Sequence, residues 1–324
     1  MNDSEFVRIL ASIVLQSVPL IYAVIGETIT ERAGVVNLSL DGTMLMAAMT
    51  GFVVGLKADS LWAGFLAASL IGAIFAFIVA FGSIRLKQSQ VAIGFVLTLL
   101  GDDLSAFLGQ NYTRIPGPAV KHLPIPILKD IPIMGPIFFN QDIMVYLAFI
   151  LVGLTWVLLY RTQSGLHLRG VGERPEAAFA RGVNVNRVRY LYTILGGALV
   201  GISGAVYSLD VKLGWSDGHT RGLGWIALAI VIFGGWSPVR GALGAVLFGA
   251  TKALATILQR TFPEVSVVAF NSLPWLLMIG VLLVVGSETT ERLIAFMPRP
   301  VRRPLQRLLH VAAPLALGST FGEK

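Results

Sequence analysis

The chain has 324 residues, of which 55% are hydrophobic and only 13% charged, about half the charged fraction of an average soluble domain. With a mean hydropathy of +0.75, this composition excludes a water-soluble fold and predicts an all-α, polytopic integral membrane protein. The absence of cysteine excludes disulfides, thiolate nucleophiles and zinc–thiolate sites, and the net charge of +7 points either to nucleic acid or to the positive-inside rule.

Long apolar runs predict about nine membrane-spanning helices, because roughly 20 helical residues cross the hydrocarbon core. Three of these runs contain charges: Asp41 in the second, Asp102 and Asp103 in the fourth, and Lys252 in the eighth. The first run lacks the cleavage site of a signal peptide and is expected to remain as a span. The predicted spans are 9–26, 33–56, 60–84, 88–113, 143–160, 190–209, 222–239, 241–259 and 265–287.

The charges between the spans orient the chain. Segment 161–189 has a net charge of +4 and segment 288–324 a net charge of +3, which together account for the +7. Both are expected in the cytoplasm, where Lys and Arg accumulate, so the N-terminus is predicted outside and the C-terminus inside. Residues 1–287 would form the membrane domain, and 288–324 a basic tail that attracts membrane lipid. Nucleic acid is therefore not needed as a partner.

A polar stretch interrupts the second predicted span. Asn37, Ser39, Asp41 and Thr43 alternate with apolar residues and are flanked by glycine. Two interpretations remain open. The stretch is either a discontinuous helix whose side chains offer hydrogen bonds to a solute in a pathway, or a helix cap in which Asn37 or Asp41 accepts from free backbone N–H groups.

Other residues within the spans also have two interpretations. Trp225 and Phe233 could stack a nucleobase in the pathway, although anchoring at the membrane interface is the commoner use of aromatic residues in spans. Asp102 and Asp103 are adjacent, so on a helix they point about 100° apart and are expected to be solvated rather than to share a proton. Lys252 has a long apolar stem that can reach the interface.

The segment 165–188 contains a short helix with clear boundaries. Pro175 suits the first helical position, Arg181 complements the helix dipole in the last turn, and Gly182 suits the position after the helix. A helix of two turns is not stable alone, so it must pack against the membrane domain or a partner groove.

Three stretches resemble the permeases of bacterial ABC importers for branched-chain amino acids, ribose and nucleosides: 26–44, 172–185 and 222–249. The first, GETITERAGVVNLSLDGTM, is most similar to the nucleoside and simple-sugar branch. The second resembles the cytoplasmic coupling segment, although Glu173-Arg174 stands where the family commonly has a small or amide pair. By this resemblance, the ATPase-coupling residues are Gly172, Glu173, Arg174, Pro175, Glu176, Ala177, Ala178 and Gly182.

The resemblance implies a multi-pass subunit in the bacterial plasma membrane that forms a pathway for nucleosides or simple sugars. It further implies an ABC ATPase, an extracytoplasmic substrate-binding protein and a second, homologous permease as partners. The sequence lacks a GxxxxGK[ST] motif, so ATP hydrolysis is expected from a partner chain and the chain itself is not expected to be an enzyme. No cofactor or metal site is predicted.

Two alternatives remain open at this point. One is an ion- or proton-coupled secondary transporter or channel that works without an ATPase. The other keeps the ABC importer but takes branched-chain amino acids as the solute. A membrane enzyme would need a pair of acid and base residues or a metal site at membrane depth, and the spans contain no such set.

Overall fold

The computed structural model describes residues 3–285, 296, 298 and 312–322. In this part of the chain the regular structure is α-helical, with short 3-10 and π-helical turns and two isolated β-bridges. The helices are α1 (Asp3–Arg32), α2 (Leu40–Lys57), α3 (Leu61–Ala80), α4 (Gln90–Gly109), α5 (Ile143–Arg161), α6 (Gln163–Glu173), α7 (Pro175–Ala180), α8 (Val185–Val206), α9 (Leu223–Phe233), α10 (Pro238–Thr261), α11 (Val267–Asn271) and α12 (Leu273–Val285).

Eight helical segments of the described residues are long and apolar enough to cross a membrane. They confirm the predicted all-α, polytopic membrane fold. The π-helical turns Phe81–Arg85 and Tyr207–Val211 lengthen α3 and α8. The predicted boundary between the membrane domain and the basic tail, at residue 287, lies outside the described residues.

The predicted span 222–239 differs from the helix found there. α9 has 11 residues and is about 16 Å long, too short to cross a hydrocarbon core of about 30 Å. The helix ends at Gly234 and Gly235. Gly235 has a φ of +66°, a left-handed conformation that glycine adopts without strain, and Pro238 then starts α10.

The chain nevertheless returns across the bundle between α8 and α10. Both helices run antiparallel to α1, because positions later in α8 and α10 lie against positions earlier in α1. The contacts that fix these directions are Gly26 with Gly196, Pro19 with Ser203, Val24 with Gly241 and Ser17 with Gly249. α8 and α10 therefore begin at the same face, and the non-helical segment 212–222 followed by α9 makes the passage back.

α2 begins inside the bundle. Residues 34–39 run along α4, where the Val36 N–H donates to Gln90 Oε1 (2.7 Å) and Thr98 Oγ1 donates to the Leu38 carbonyl oxygen (2.7 Å). α4 rises about 12 Å between those two positions. The polar stretch of the second predicted span therefore begins in a non-helical segment, between the end of α1 and the start of α2, that packs along α4.

Glycines allow the central helices to approach closely. A Cβ on Gly72 of α3 would collide with the carbonyl oxygen of Gly197 in α8, and one on Gly201 would collide with the carbonyl oxygen of Ala68. Small residues at such positions let helix backbones pack in the absence of a hydrophobic driving force. The small-residue spacing of Gly197 and Gly201 thus serves helix packing.

The segment 165–188 contains one more helix than predicted. Pro175 occupies the first turn of α7 and Gly182 has a φ of +83°, as expected, but a second helix, α6, precedes α7. Residues 312–322, named the strap here, lie across this segment: the Ala316 N–H donates to the Gly172 carbonyl oxygen (2.9 Å). Residues 312–322 of the predicted lipid-binding tail thus pack on protein.

Candidate functional site

Three of the four predicted pathway residues of the second span are hydrogen-bonded to one another, and the Asn37 Nδ2 group has no partner among the described residues. Asn37 Oδ1 accepts from the Ser39 N–H (3.1 Å) and the Ser39 hydroxyl (2.6 Å), and Ser39 Oγ lies 3.1 Å from Thr43 Oγ1. Asn37, Ser39 and Thr43 are at most 1% exposed. In this conformation the three side chains stabilise the break before α2 and are not accessible to a solute.

Asp41 caps a different helix from its own. Its Oδ1 accepts from the backbone N–H groups of Gly222 (2.8 Å) and Gly224 (2.9 Å) at the start of α9. A carboxylate at a helix N-terminus satisfies free donors and complements the helix dipole. Of the two interpretations of Asp41, the geometry matches the cap, and it joins the helix break of α2 to the half-length helix α9.

Trp225 and Phe233 lie on α9 away from the polar residues described below. Phe233 stacks on Phe248 of α10, with ring centroids 6.1 Å apart and an interplanar angle of 17°. It also lines an apolar cavity of about 690 Å³ between α9, α10 and α12. Trp225 is half-buried and packs against the hydrophobic core. Neither ring lines the large polar cavity of the protein.

That polar cavity has a volume of about 970 Å³ and lies in the half of the bundle opposite segment 165–188. Its walls come from the segment 212–222, the distal half of α10, and the helices α11 and α12. Its lining is strongly basic, and no Asp or Glu of the described residues contributes to it. The basic lining residues are Arg114, Lys212, Arg221, Lys252 and Arg260.

Uncharged polar and aromatic side chains complete the lining. Gln16, Gln259 and Asn271 bring amide groups, while Tyr207 and Trp275 bring aromatic rings. Such a mixture of flat apolar surface and a few hydrogen-bonding groups is typical of sites for small polar solutes. No local sequence pattern predicts this cavity, because its lining residues come from five separate stretches of the chain: 16, 114–116, 207–226, 252–260 and 267–275.

Lys252 and Arg260 are the charged residues of α10 that line the cavity, and Lys252 lies deeper in the helix. Its Nζ lies 5.0 Å from the centroid of the Tyr207 ring, within the range of a cation–π interaction. Within the described residues, its ammonium group forms no ion pair with a carboxylate. The feature of the sequence that could have indicated this role is the position of Lys252 inside a predicted span, because a charge there needs a functional or structural reason.

Arg221 connects the cavity to α4. Its Nη2 lies 2.8 Å from Asp102 Oδ1 and 3.9 Å from Asp217 Oδ1. Asp102, which was expected to be solvated, has a side chain that is 30% exposed and also pairs with Arg221, so it joins α4 to the segment 212–222. Asp103 is exposed. The adjacent aspartates thus point in different directions, as their spacing predicted.

His219 is held as a neutral ring beside the cavity. Its Nδ1 accepts from the Ser216 N–H (3.0 Å), so the proton of the neutral ring lies on Nε2, which is 3.1 Å from the Ser208 hydroxyl oxygen. Burial, together with the positive charges of Lys212 and Lys252, lowers the pKa of His219 to about 4. At neutral pH the ring is therefore an uncharged part of the wall.

The eight predicted coupling residues divide between two faces. Gly172, Pro175 and Ala178 are buried, and a Cβ on Gly172 would collide with the carbonyl oxygen of Arg32. Ala178, which is 8% exposed, packs in a small apolar cluster. The other buried members of that cluster are Val171, Val185 and Phe321.

The outward side of α7 is available to a partner. Arg174, Glu176, Ala177 and Phe179 are all exposed, and these four residues are named the coupling face here. Gly182 is exposed as well. The structure thus brings four of the predicted residues to the surface and adds Phe179, which is 45% exposed and which the sequence analysis did not select.

Glu173 ties the coupling segment to the membrane helices. Its Oε1 lies 3.9 Å from Nη1 of Arg32, at the end of α1. The Arg32 Nε–H in turn donates to the Trp236 carbonyl oxygen (3.0 Å), in the turn between α9 and α10. The Trp236 indole N–H donates to Glu31, which is 3% exposed. These contacts link the coupling segment to the end of α1 and to the turn before α10.

Comparison with known proteins identifies the family. The model for branched-chain amino acid transport system permease components matches residues 9–285. The chain is 36% identical over 298 residues to the guanosine ABC transporter permease NupQ of Bacillus subtilis, covering 85% of this chain and 92% of that protein. It is 34% identical over 260 residues to the nucleoside ABC transporter permease NupC of Lactococcus lactis, covering 77% and 82%.

A third relative comes from an archaeon. The chain is 41% identical over 239 residues to the putative glucose ABC transporter permease TsgC13 of Haloferax volcanii, covering 72% of this chain and 73% of that protein. No solved structure matches. The family model, the close relatives and the helical membrane fold agree, and the chain belongs to the family of branched-chain amino acid transport system permease components, as a multi-pass permease of an ABC transporter.

Proposed function

We propose that this permease forms one half of the translocation pathway of an ABC importer for nucleosides or simple sugars. The observation that supports the solute class is the identity to a guanosine permease, a nucleoside permease and a putative glucose permease over most of each chain. Two of these three names specify a nucleoside, so nucleosides are the first solutes to test.

The polar cavity is our proposed solute pathway. It lies opposite the coupling segment and combines hydrogen-bond donors with aromatic rings, which suits an uncharged solute rich in hydroxyl groups or ring nitrogens. It replaces Trp225, Phe233 and the buried stretch 37–43 as the pathway that we propose. Asp41 contributes indirectly, since it holds the N-terminus of α9 beside the cavity.

The coupling face is our proposed contact with the ATPase. It is exposed on a short helix whose neighbours are linked to α1 and α10 by Glu173 and Arg32. Closure of an ATPase pair would move α7, and the attached helices would then favour one of two arrangements of the pathway. In this proposal, the ATPase hydrolyses ATP and the permease is not an enzyme.

The remaining partners follow from the same proposal. A second homologous permease would complete the pathway, and an extracytoplasmic substrate-binding protein would deliver the solute to the side on which the cavity lies. The chain would reside in the plasma membrane in contact with lipid, with its first residues outside and the coupling segment in the cytoplasm, as the distribution of Arg predicts.

Solute uptake by cells tests the proposed solute class. A strain without its own nucleoside or glucose uptake would express the permease with its ATPase, second permease and binding protein, and would be given radiolabelled guanosine, glucose or leucine. We expect saturable uptake of guanosine or glucose and none of leucine. Uptake of leucine alone would assign the transporter to amino acids and contradict the proposal.

A further inference from the structure

The strap makes hydrogen bonds to the residues directly before α7. The Ala316 N–H donates to the Gly172 carbonyl oxygen (2.9 Å), and the Leu315 N–H donates to Glu173 Oε2 (3.3 Å). Glu173 is also the residue that faces Arg32 of α1. The strap therefore meets the coupling segment at its connection to the membrane helices.

Two further contacts attach the strap to the membrane domain. The Gly318 N–H donates to the Gly34 carbonyl oxygen (3.1 Å), just after α1, and Arg189 Nη1 donates to the Ser319 carbonyl oxygen (2.8 Å). Arg189 lies in the first turns of α8 and is only 1% exposed. Among the described residues, its Nε and Nη2 have no hydrogen-bond partner, so the strap carbonyl is an important acceptor for a buried cation.

The strap also supplies part of the apolar support of α7. Phe321 is 8% exposed and packs with Val171, Ala178 and Val185. Its ring centroid lies 5.6 Å from that of Phe179, at an interplanar angle of 55°. Phe179 belongs to the coupling face and Ala178 to the buried face of the same helix. Phe321 therefore touches α7 on the buried side and at the edge of the exposed side.

We propose that the strap is a positioning element for the coupling helix, and that efficient coupling of ATP hydrolysis to transport depends on it. This inference rests on the proposed function of the coupling face. α7 has six residues, about 9 Å, and is too short to be stable without tertiary contacts. The strap links it to the end of α1 and the start of α8. Without the strap, α7 would keep its link to α1 through Glu173 and Arg32 but would lose the Phe321 contact and the hydrogen bonds to Gly34 and Arg189, so a push on α7 would move the membrane helices less.

The buried surface of the strap distinguishes this role from binding to lipid. Pro314, Ala316 and Phe321 are buried against the protein, while Leu315 is 75% exposed. The backbone N–H groups of the strap donate to the coupling segment and to Gly34, two residues after α1. The Ser319 carbonyl oxygen accepts from Arg189 of α8. An inhibitory strap that blocks the ATPase would instead have to cover the coupling face, whose four residues remain exposed.

The test uses the complete importer, reconstituted in liposomes with its ATPase, second permease and binding protein. The variants are the chain without residues 312–324, Phe321→Ala and the matched control Leu315→Ala, which keeps the backbone hydrogen bonds and removes an exposed side chain. For each variant, assembly of the complex, the apparent melting temperature, ATP hydrolysis and uptake of labelled guanosine and glucose are measured.

We expect the truncated complex to assemble and hydrolyse ATP within about twofold of the wild type, while solute transported per ATP falls at least tenfold. Phe321→Ala should lower the solute transported per ATP about threefold, whereas Phe321→Leu should retain most of it. Leu315→Ala should leave it unchanged. A synthetic peptide of residues 312–324 should restore coupling to the truncated complex. These magnitudes correspond to about 0.7–1.4 kcal/mol at 25 °C.

Three outcomes would overturn the proposal: an unchanged ratio in the truncated complex, an increased ratio, or equal effects of Phe321→Ala and Leu315→Ala. If the truncated chain does not assemble, the Phe321 and Leu315 variants decide alone. A wild-type complex without ATP-driven uptake would instead contradict the proposed function, so the two failures are distinguishable.

Discussion

At the scale of single residues, Asp41 acts across two helices. Its carboxylate lies in the first turn of α2 and accepts hydrogen bonds from two N–H groups at the start of α9. α9 is too short to span the membrane, and its first turn lies inside the bundle, where no bulk water is available to those donors. The Asp41 carboxylate thus supplies the hydrogen-bond acceptor that this buried helix terminus needs.

Substitutions of Asp41 separate this capping role from direct contact with a solute. Asp41→Leu leaves the N–H groups of Gly222 and Gly224 unsatisfied, and we expect a loss of stability of about 1–2 kcal/mol. Asp41→Asn keeps an acceptor oxygen, so its loss should be smaller. Thermal unfolding of the purified protein in detergent measures both. If Asp41→Asn abolishes uptake as fully as Asp41→Leu with an unchanged melting temperature, the carboxylate acts on the solute instead.

Lys252 is the residue that we expect to contact the solute. Its ammonium group lies over Tyr207 in the cavity, and a hydrogen bond to a charged group contributes about 1.5–3 kcal/mol. Lys252→Met should therefore lower uptake at least tenfold, while Lys252→Arg should retain most of it.

Chemical labelling of lysines provides a second measurement for Lys252. Guanosine or glucose at millimolar concentration should slow the acylation of Lys252, detected by mass spectrometry. Lys57 is the matched control, because it also lies over an aromatic ring, at 5.4 Å from Tyr112, but is exposed outside the cavity. If the solute slows the acylation of Lys57 and Lys252 equally, or slows neither, Lys252 is not a solute contact.

His219 predicts a specific dependence of stability on pH. Its pKa of about 4 in the folded protein lies below the value of about 6.5 in an unfolded chain, so the unfolded state binds the proton first as the pH falls. The stabilisation from the neutral ring is therefore complete above pH 6.5 and is lost between pH 6.5 and 4. His219→Gln should lose less melting temperature than the wild type between pH 7.5 and 4.5. Parallel curves would show that the ring does not titrate as described.

At the scale of elements, α7 presents one face to the protein and another to solvent. The surface change Glu176→Lys, or Ala177→Trp, should lower solute-stimulated ATP hydrolysis at least tenfold without changing insertion or melting temperature. Glu264→Lys is the matched control, since it reverses the same charge on an exposed residue beyond the far end of α10. Ala178→Trp would not be informative about the surface, because Ala178 is buried and overpacking is itself destabilising.

Loss of membrane insertion in Glu176→Lys, or unchanged solute-stimulated ATP hydrolysis, would contradict the assignment of the coupling face. Equal loss of stimulation in Glu264→Lys would contradict it as well, since charge alone would then account for the effect.

The elements also differ in how far the sequence predicts them. Hydropathy located the long spans, and Pro175 and Gly182 predicted α7, because these signals depend on neighbouring residues. The short length of α9 depends on Gly234 and Gly235, which an apolar run of 18 residues concealed. The cap by Asp41 involves a residue 181 positions away. Such contacts are set by tertiary packing and leave no local pattern.

At the scale of the whole molecule, the cavity and the coupling face lie at opposite ends of one helical bundle. α1 connects them directly: Gln16 lines the cavity, and Arg32 meets Glu173 of the coupling segment. The strap could not be predicted from the sequence, since its residues have no helical or strand periodicity and pack on positions 34, 172 and 189. This arrangement suits a subunit that converts movement at one face into access at the other.

The central claim is that ATP hydrolysis by a partner, transmitted through this permease, drives uptake of a nucleoside or simple sugar. Proteoliposomes that contain the permeases and the ATPase, with the binding protein and labelled guanosine and glucose outside and ATP inside, test it most directly. We predict that one of the two solutes accumulates above its external concentration when ATP is supplied. Accumulation should not change when an ionophore collapses the proton gradient. Accumulation that requires the gradient and proceeds without ATP would contradict the account.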